Sequence, residues 1–522
     1  MDAPPPTVAP YEVHNFIQQM KNTKATLPCD IPVSLIKEFS TELAEPLSHI
    51  INCIIDSGKY PIDWKVEYVT PVPKVFPPQD ASDLRKIACT KNFSKLTEMV
   101  IAKWVLQDMK QKLDLSSYGG MPGLSTSHYL VKMINRILTA LDGNSKGEIR
   151  AVILEMVDWS KAFDMICPKL GIESFIENGV RKSLIPVLIS YLQDRKMVVK
   201  WNEKLSSQRN LPGGGPQGTL IGPIEYLSIS NDNAEFIDTK DKYKFVDDLS
   251  ILEIVDLVDK IMSYNFRQHV ASDIATHNQF IPENAIQSQS YINKIENWTD
   301  KKKMKLNSEK TKIMIFNFTH KYQFNTRVQI SNTPLEAVEQ TKLLGVILKS
   351  DLSWDGNTSH LIKKAYKRMP LITNLFSYTI PIADLVTIYI IFIRSTLEYA
   401  CVVWHSSITG EEKDDIERVQ KTSLKVILKD QYQSYNTALK RLGLETLADR
   451  REKLCLEFAQ NCMKHDESKK MFPLNSNTTL RNKHCVKSMY KEKYRVQFAN
   501  KERLRKSSIP YMQRLLNSQV KN

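Results

Sequence analysis

An α+β fold is the class this sequence predicts, and three observations predict it. Strand-like and helix-like stretches follow one another in mixed order without the regular strand–helix alternation of an α/β chain. No internal repeat is visible, and the region from about Leu361 to Leu456 is mostly amphipathic helix. At 522 residues and 60.0 kDa the chain exceeds what one core can organise, so two to four domains or subdomains are expected.

A Pro-rich leader, "APPPTVAP", precedes a helical pattern through Val13, Phe16, Ile17 and Met20, and a second helix is expected after "LPCDIP". "WKVEYVTPVPK" (Trp64–Lys74) alternates apolar and polar residues until prolines end it, which reads as a strand running into a loop. "NFSKLTEMVIAKWVLQDMKQKL" (Asn92–Leu113) has helical spacing, with Asn92 or Ser94 available as a cap. After the turn-rich "SSYGGMPGLSTS" comes "AVILEMVDWSKAFD" (Ala151–Asp164), a buried-type strand with Asp158 at its end, ahead of a short helix. "SLIPVLISYLQD" reads as helix, "VVKWNEK" as an outward strand, and "LPGGGPQGTLIGPIEYLSIS" as a glycine loop entering a helix. "YINKIENWTDKKKMKLNSEKTKIMIFNF" reads as a helix, a turn at Asn307 and Ser308, and a strand from Lys312.

The net charge of +14 points to a polyanionic partner, and its distribution says more than its size. From Arg451 onward there are 17 Lys and Arg against six Asp and Glu, so +11 of the excess lies in the last seventh of the chain. Tyr490, Tyr494, Phe498 and Tyr511 are interleaved there, a pattern able to follow a phosphate backbone and stack on bases, or to be ordinary helix core. Eight scattered cysteines with no CxxC pair, and no signal peptide at Met1, predict a reducing intracellular compartment. "LVTIYIIFI" (Leu385–Ile393) is too short for a bilayer and suits a buried helix, so no membrane partner is expected.

"YKFVDDLSI" (Tyr243–Ile251) sets two aspartates between apolar residues. In a regular strand one of them would face a core, where an unpaired charge is very costly. A tight hairpin within "FVDDL" holds Asp247 and Asp248 at its tip instead, with Phe245 and Leu249 on the two arms. If the strand ending in Asp158 is its neighbour, three carboxylates converge, a set suited to hard divalent cations and phosphoryl transfer. Adjacent aspartates in isolation are more often a solvated turn.

Several stretches together carry a family resemblance. "VDWSKAFD", "GGGPQGT", "YKFVDD", "LNSEKTKIMIF" and "KLLGV" occur in the order of the palm motifs of reverse transcriptases, and most resemble those of non-LTR (LINE-type, jockey-like) retrotransposons. Upstream, "KATLPCDIP", "WKVEYVTPVPK", "DLRKIACTKNFSKLTEMV" and "YGGMPGLSTSHYL" resemble the family's leading and fingers segments, and "IRSTLEYACVVW" its thumb. Together they span about residues 24–404. The resemblance implies a right-hand polymerase with fingers, a palm built on an antiparallel sheet, a helical thumb and a basic helical C-terminal region. The implied bounds are 1–60 for the leader, 61–150 for the fingers, 151–349 for the palm with a helical insertion at about 255–290, 350–450 for the thumb and 451–522 for the basic region.

By the same resemblance Asp158, Asp247 and Asp248 bind Mg²⁺, for which Mn²⁺ can substitute, and valine stands at Val246 where the family usually has alanine. Phe163 takes the place of the ring beneath the incoming sugar, which favours dNTP over rNTP. Trp159, Gln217 and Gly218 fall in nucleotide-binding segments. Arg85 matches the arginine that grips the triphosphate, with Lys74 as a second cation. Lys86 follows Arg85 where the family commonly has proline. Lys310 matches a lysine that protonates the leaving pyrophosphate, "KLLGV" the primer-grip hairpin, and Asp164 is expected as a helix-start acceptor.

The implied activity is RNA-directed DNA polymerisation, a nucleotidyltransferase reaction on an RNA template and DNA primer, acting in the nucleus. An RNA-copying RNA polymerase is disfavoured by Phe163. The alternative from another class is a catalytically inactive nucleic-acid-binding remnant of a retroelement. Full-length elements usually carry an endonuclease ahead of the polymerase, so the expectation is a truncated copy, a partial gene or an enzyme that nicks through a separate endonuclease.

Overall fold

The computed structural model describes the chain except residues 1–3, 23–26, 28–29, 144–148, 203, 212, 217, 258–278, 282–285, 320–321, 325–326, 376–377, 379, 476–492 and 522. The strands are, in chain order, β1 (Val66–Pro73), β2 (Leu84–Cys89), β3 (Arg150–Val157), β4 (Lys196–Trp201), β5 (Lys204–Leu205), β6 (Arg209–Asn210), β7 (Lys242–Phe245), β8 (Asp248–Asp256), β9 (Gln279–Ile281), β10 (Lys312–Phe316), β11 (Tyr322–Phe324), β12 (Gln329–Ile330), β13 (Thr333–Pro334), β14 (Glu336–Ala337), β15 (Gln340–Leu343) and β16 (Val346–Lys349). The first helices are α1 (Pro10–Gln19), α2 (Val33–Glu38), α3 (Ser40–Ser57), α4 (Asn92–Met109), α5 (Thr126–Asp142), α6 (Pro168–Glu177), α7 (Ile185–Leu192) and α8 (Ile221–Ile229). The α+β class is what the structure has.

The central sheet has the order β14-β10-β3-β8-β7. β3 pairs antiparallel with β10 on one side and with β8 on the other, and β7 and β8 form a hairpin. Its near-continuous apolar sequence reflects burial on both faces. Ala151, Ile153 and Val157 point to one face with Ile292, Ile295 and Trp298 of the helix Ser288–Lys302. Val152, Leu154 and Met156 point to the other, sharing a core with α5, the β15–β16 hairpin and the helices after Asp355. A second sheet, β2-β1-β4-β5 with β6 also on β4, pairs β1 parallel with β4 and antiparallel with β2. A third core gathers α1 to α4, α6, α7 and the start of α8.

From Asp355 to Cys462 the described chain is mostly helical, as its apolar periodicity predicts, and Thr409 with Glu412 forms a capping box at the head of Gly410–Leu428. The run Ile382–Ser407 has the length and apolar content to cross a bilayer. It is broken at Ala400, which takes a left-handed conformation, and Tyr389, Ile393, Leu397 and Trp404 are buried in the protein core.

Two expectations need correction. Neither Asn92 nor Ser94 caps α4; the Asp30 carboxylate accepts from the Asn92 N–H at 3.1 Å. Residues 160–165 form turns, not a helix, with Lys161 at φ 52°. The C-terminal aromatic residues do not line one exposed face: Tyr494 is buried, Tyr511 donates from its hydroxyl to Glu452 at 2.9 Å, and only Phe498 of the described ones stands in solvent. The helix Ser508–Lys521 instead packs on Leu447–Cys462 and α5. The helical insertion expected at about 255–290 falls mostly outside the described residues, as do Tyr490 and Gln217.

Candidate active site

The register of β3 against β8 decides where the carboxylates meet. Val157 pairs with Leu249, so one step further Asp158 stands opposite Asp248. Side chains alternate along a strand, which puts both carboxylates on the same face at neighbouring positions. Asp247 joins them from a two-residue turn, Val246–Asp247, closed by the Phe245–Asp248 pair. Asp248 is therefore the first residue of β8 and only Asp247 is at the tip. Val246 has φ 55°, a conformation unusual for a β-branched residue and a sign that the surroundings impose the turn.

Those surroundings come from the "SSYGGMPG" loop. The Tyr118 N–H donates to the Lys244 carbonyl at 2.7 Å and the Lys244 N–H to the Ser116 carbonyl at 2.9 Å, so 116–118 lines the free edge of β7. Gly119 then passes so close that a Cβ there would lie 2.4 Å from the Val246 nitrogen. Asp158 is held from the other side. Its N–H donates to Thr311 Oγ1 at 3.1 Å and its carbonyl accepts from the Asn307 N–H at 2.9 Å.

Burial pushes all three carboxyls toward the neutral form, and repulsion from neighbouring carboxylates adds to it for Asp248 and Asp158. Asp248 is raised to about 7 by burial, then by Asp247 and Asp158. Asp158 is raised by burial, against the lowering effect of Lys310 and with a further rise from Asp247. Asp247 is raised by desolvation, offset by its own backbone N–H and by the Arg85 charge. Arg85, exposed on β2, thus acts on Asp247, and Lys310, exposed on the turn before β10, acts on Asp158. Among the described residues, no three acidic, His or Cys side chains are gathered tightly enough to enclose an ion unaided. Three crowded carboxylates whose charged forms are disfavoured suit a hard cation whose remaining ligands come from phosphate oxygens and water.

The glycine loop closes the site above the turn 160–165. The Gly215 N–H donates to the Phe163 carbonyl at 2.7 Å and the Gly214 N–H to the Ile166 carbonyl at 3.0 Å. Gly218, at φ 101°, runs so near β2 that a Cβ would sit 2.3 Å from the Ala88 carbonyl oxygen. The loop enters α8 where the Leu220 N–H donates to the buried Glu98 carboxylate at 2.8 Å.

This arrangement accompanies a clear relationship by sequence. The chain is 24% identical over 457 residues to the "Probable RNA-directed DNA polymerase from transposon X-element" of Drosophila melanogaster, covering 86% of this chain and 47% of that protein. The chain is homologous to the RNA-directed DNA polymerases of non-LTR transposons. Two further relatives from the same fly are the transposon BS protein, 22% identical over 85% of this chain and 47% of its own length, and the mobile element jockey protein, 22% identical over 70% and 38%. The chain spans about half the length of the first two and less of the third. No family model matches it. Apo telomerase from Candida tropicalis aligns with 82% of this chain and 67% of its own at 14% identity and a TM-score of 0.38.

Set beside these transposon polymerases, the residues singled out from sequence sort into three groups. Asp158, Asp247 and Asp248 are brought together, with Arg85 and Lys310 flanking them. Phe163 and Gly218 lie on the turn and the glycine loop that are hydrogen-bonded to each other, and the exposed Lys74 is held by its backbone, its N–H donating to the Asp83 carbonyl at 2.7 Å. Trp159 does not join them: its side chain is buried against Trp298 at 5.4 Å on the face opposite Asp158. Asp164 starts no helix and pairs with Lys86 at 3.2 Å. "KLLGV" does form a hairpin, β15–β16, turning at Leu344 and Gly345 with the Leu344 carbonyl accepting from Tyr399 Oη at 2.8 Å.

Sequence reasoning missed Gly119, Thr311, Glu98 and Tyr226. Tyr226 is buried, and its ring stacks on Phe163 with centroids 5.2 Å apart. In "IGPIEYLSIS" it follows Glu225 among mostly apolar residues, and the stretch gave no signal of a role.

Proposed function

We propose that this chain is a reverse transcriptase, adding dNTPs to the 3′-hydroxyl of a DNA primer along an RNA template. The observation that carries the reading is the convergence of Asp158, Asp247 and Asp248 through the β3–β8 register and the β7–β8 turn. The homologous transposon polymerases support it. In this reading residues 61–150 are the fingers, 151–349 the palm and 350–450 the thumb, with 1–60 as leader and 451–522 as the basic C-terminal region.

Asp158, Asp247 and Asp248 would hold Mg²⁺ or Mn²⁺, which when bound lowers the pKa of the attacking hydroxyl and offsets charge on the phosphate. The chain's own groups do the rest. Arg85, with Lys74 beside it, is suited to bind the triphosphate, since a guanidinium offers five donors in a fixed plane. Phe163 excludes a 2′-hydroxyl by bulk. Lys310 holds a proton for the departing pyrophosphate. Gln217 and Gly218 bring the glycine loop against the nascent base pair, where Gly218 permits the close approach of two backbones.

The test is primer extension on an RNA template with dNTPs and Mg²⁺ or Mn²⁺, comparing wild type with Asp247→Asn, with primer–template affinity measured alongside. Wild type should make cDNA and the variant should not, both binding nucleic acid equally. A wild type that binds but makes no cDNA under either metal would refute the enzymatic reading and leave a binding remnant.

A further inference from the structure

Phe163 stands on a turn whose other anchor at this residue is one backbone hydrogen bond, from the Gly215 N–H to its carbonyl at 2.7 Å. The half-buried ring packs against the core that includes Ala162 and Ile166, and a sugar-discriminating ring must not yield when pressed. Within that core it is backed by a second ring. Tyr226 lies 5.2 Å from it with 27° between the planes, a stacked arrangement. Unlike Phe163, Tyr226 belongs to a helix, α8, buried along most of its length and pinned at its entry by Glu98 and by the Gly222 N–H donating to Thr219 Oγ1 at 3.1 Å.

The hydroxyl of Tyr226 is buried with no hydrogen-bond partner among the described residues, and it lies in the field of Asp247, Asp248 and Asp158. The Tyr226 ring belongs to the core formed with Ala162, Ile229 and Ile237, and from that core it stacks on Phe163.

We propose that Tyr226 is the backstop of the sugar gate, a positioning residue that keeps the Phe163 ring in place against a 2′-hydroxyl, so that two stacked rings set the choice between dNTP and rNTP. This rests on the polymerase reading and on Phe163 as the gate. Nothing in it requires Tyr226 to touch the nucleotide.

The experiment is single-nucleotide primer extension with dCTP and CTP, giving kcat and KM for each with wild type, Phe163→Ala, Tyr226→Phe and Tyr226→Leu. Tyr226→Phe keeps the stack and should keep the dCTP-to-CTP ratio of kcat/KM. Tyr226→Leu should lower that ratio roughly tenfold or more, chiefly through a lower KM for CTP. If Tyr226→Leu does not fold, Tyr226→Met, which retains apolar volume without the ring plane, decides the matter. A wild-type ratio in a folded, extending Leu or Met variant, while Phe163→Ala has lost discrimination, overturns the backstop alone. An unchanged ratio in Phe163→Ala overturns the gate, and absence of extension by wild type overturns the polymerase reading; either removes the backstop with it.

Discussion

Lys86 Nζ lies 3.2 Å from Asp164 Oδ1, and this one pair ties the strand bearing Arg85 to the turn bearing Phe163. Both side chains are substantially exposed, so the pair contributes at most about 0.5–1 kcal/mol and is weakened by salt. Lys86→Ala should therefore move Tm by no more than about 2–4 °C. It should raise the KM for dNTP several-fold at low ionic strength, with variant and wild type converging at high salt. A KM equal to wild type at low salt would show that the pair does not position the two elements.

The crowding of Asp248 predicts a pH dependence of the metal-free protein. A carboxyl raised to about 7 in the folded state, from an ordinary value near 4, contributes its full stability below the unfolded pKa. That contribution is lost as pH rises through the folded pKa, so stability should decline between about pH 4 and 7. Asp248→Asn should flatten this decline and raise Tm at pH 8, while abolishing extension. Mg²⁺ should raise the wild-type Tm more at pH 8 than at pH 5, and thermal melting with and without the ion checks both. Equal slopes for variant and wild type would count against the assignment.

Glu225 gives a separate case. Its carboxylate is fully buried with both oxygens unpartnered among the described residues, raised to about 8 by burial despite the Arg195 charge. By the same sign, its contribution is present below about pH 4.5 and lost up to about pH 8. Glu225→Gln should be close to neutral in Tm at pH 5 and stabilising at pH 9, where the wild type must bury a charge. Destabilisation at pH 9 would indicate a partner that the folded chain supplies at high pH.

Gly119 supports the turn that carries Asp247 by close approach and left-handed freedom plays no part, since its neighbour Gly120 has the positive φ. Gly119→Ala places a methyl 2.4 Å from the Val246 nitrogen, so either the loop or the turn must move. Extension should fall by about 100-fold, with the protein still folded by circular dichroism. Full activity in this variant would mean that the loop moves freely and that the turn holds itself.

The sequence made the hairpin at Val246–Asp247 legible because two charges in an apolar strand have few tolerable placements. The partnership with Asp158 was legible only through motif order, since register is a property of two strands 90 residues apart. The turn at 160–165 looked helical because Lys161 at φ 52° and the stacking of Gly214 and Gly215 on its carbonyls are imposed from outside the segment. Trp159 was misplaced although alternation from Asp158 already turned it to the other face. The C-terminal aromatics stayed open between base stacking and helix core because lysines and arginines on a helix cover apolar neighbours, and charge counts do not reveal which ring is inside.

That same C-terminal segment bears on how the molecule is made. Gln497 Nε2 donates to Thr139 Oγ1 at 2.9 Å, and the Asn500 and Lys501 N–H groups donate to the Asp142 carboxylate at 2.7 Å, contacts spanning about 358 positions of sequence. Ile509, Met512 and Leu516 complete the core that α5 and β3 begin. Such long-range closure is slow to form, and on a ribosome it must wait until residues beyond 516 have cleared the exit tunnel. Nascent chains interrupted before that point would present the apolar side of α5 to water, making them clients for chaperones and substrates for proteases, and catalytic competence would begin only after synthesis has passed this helix.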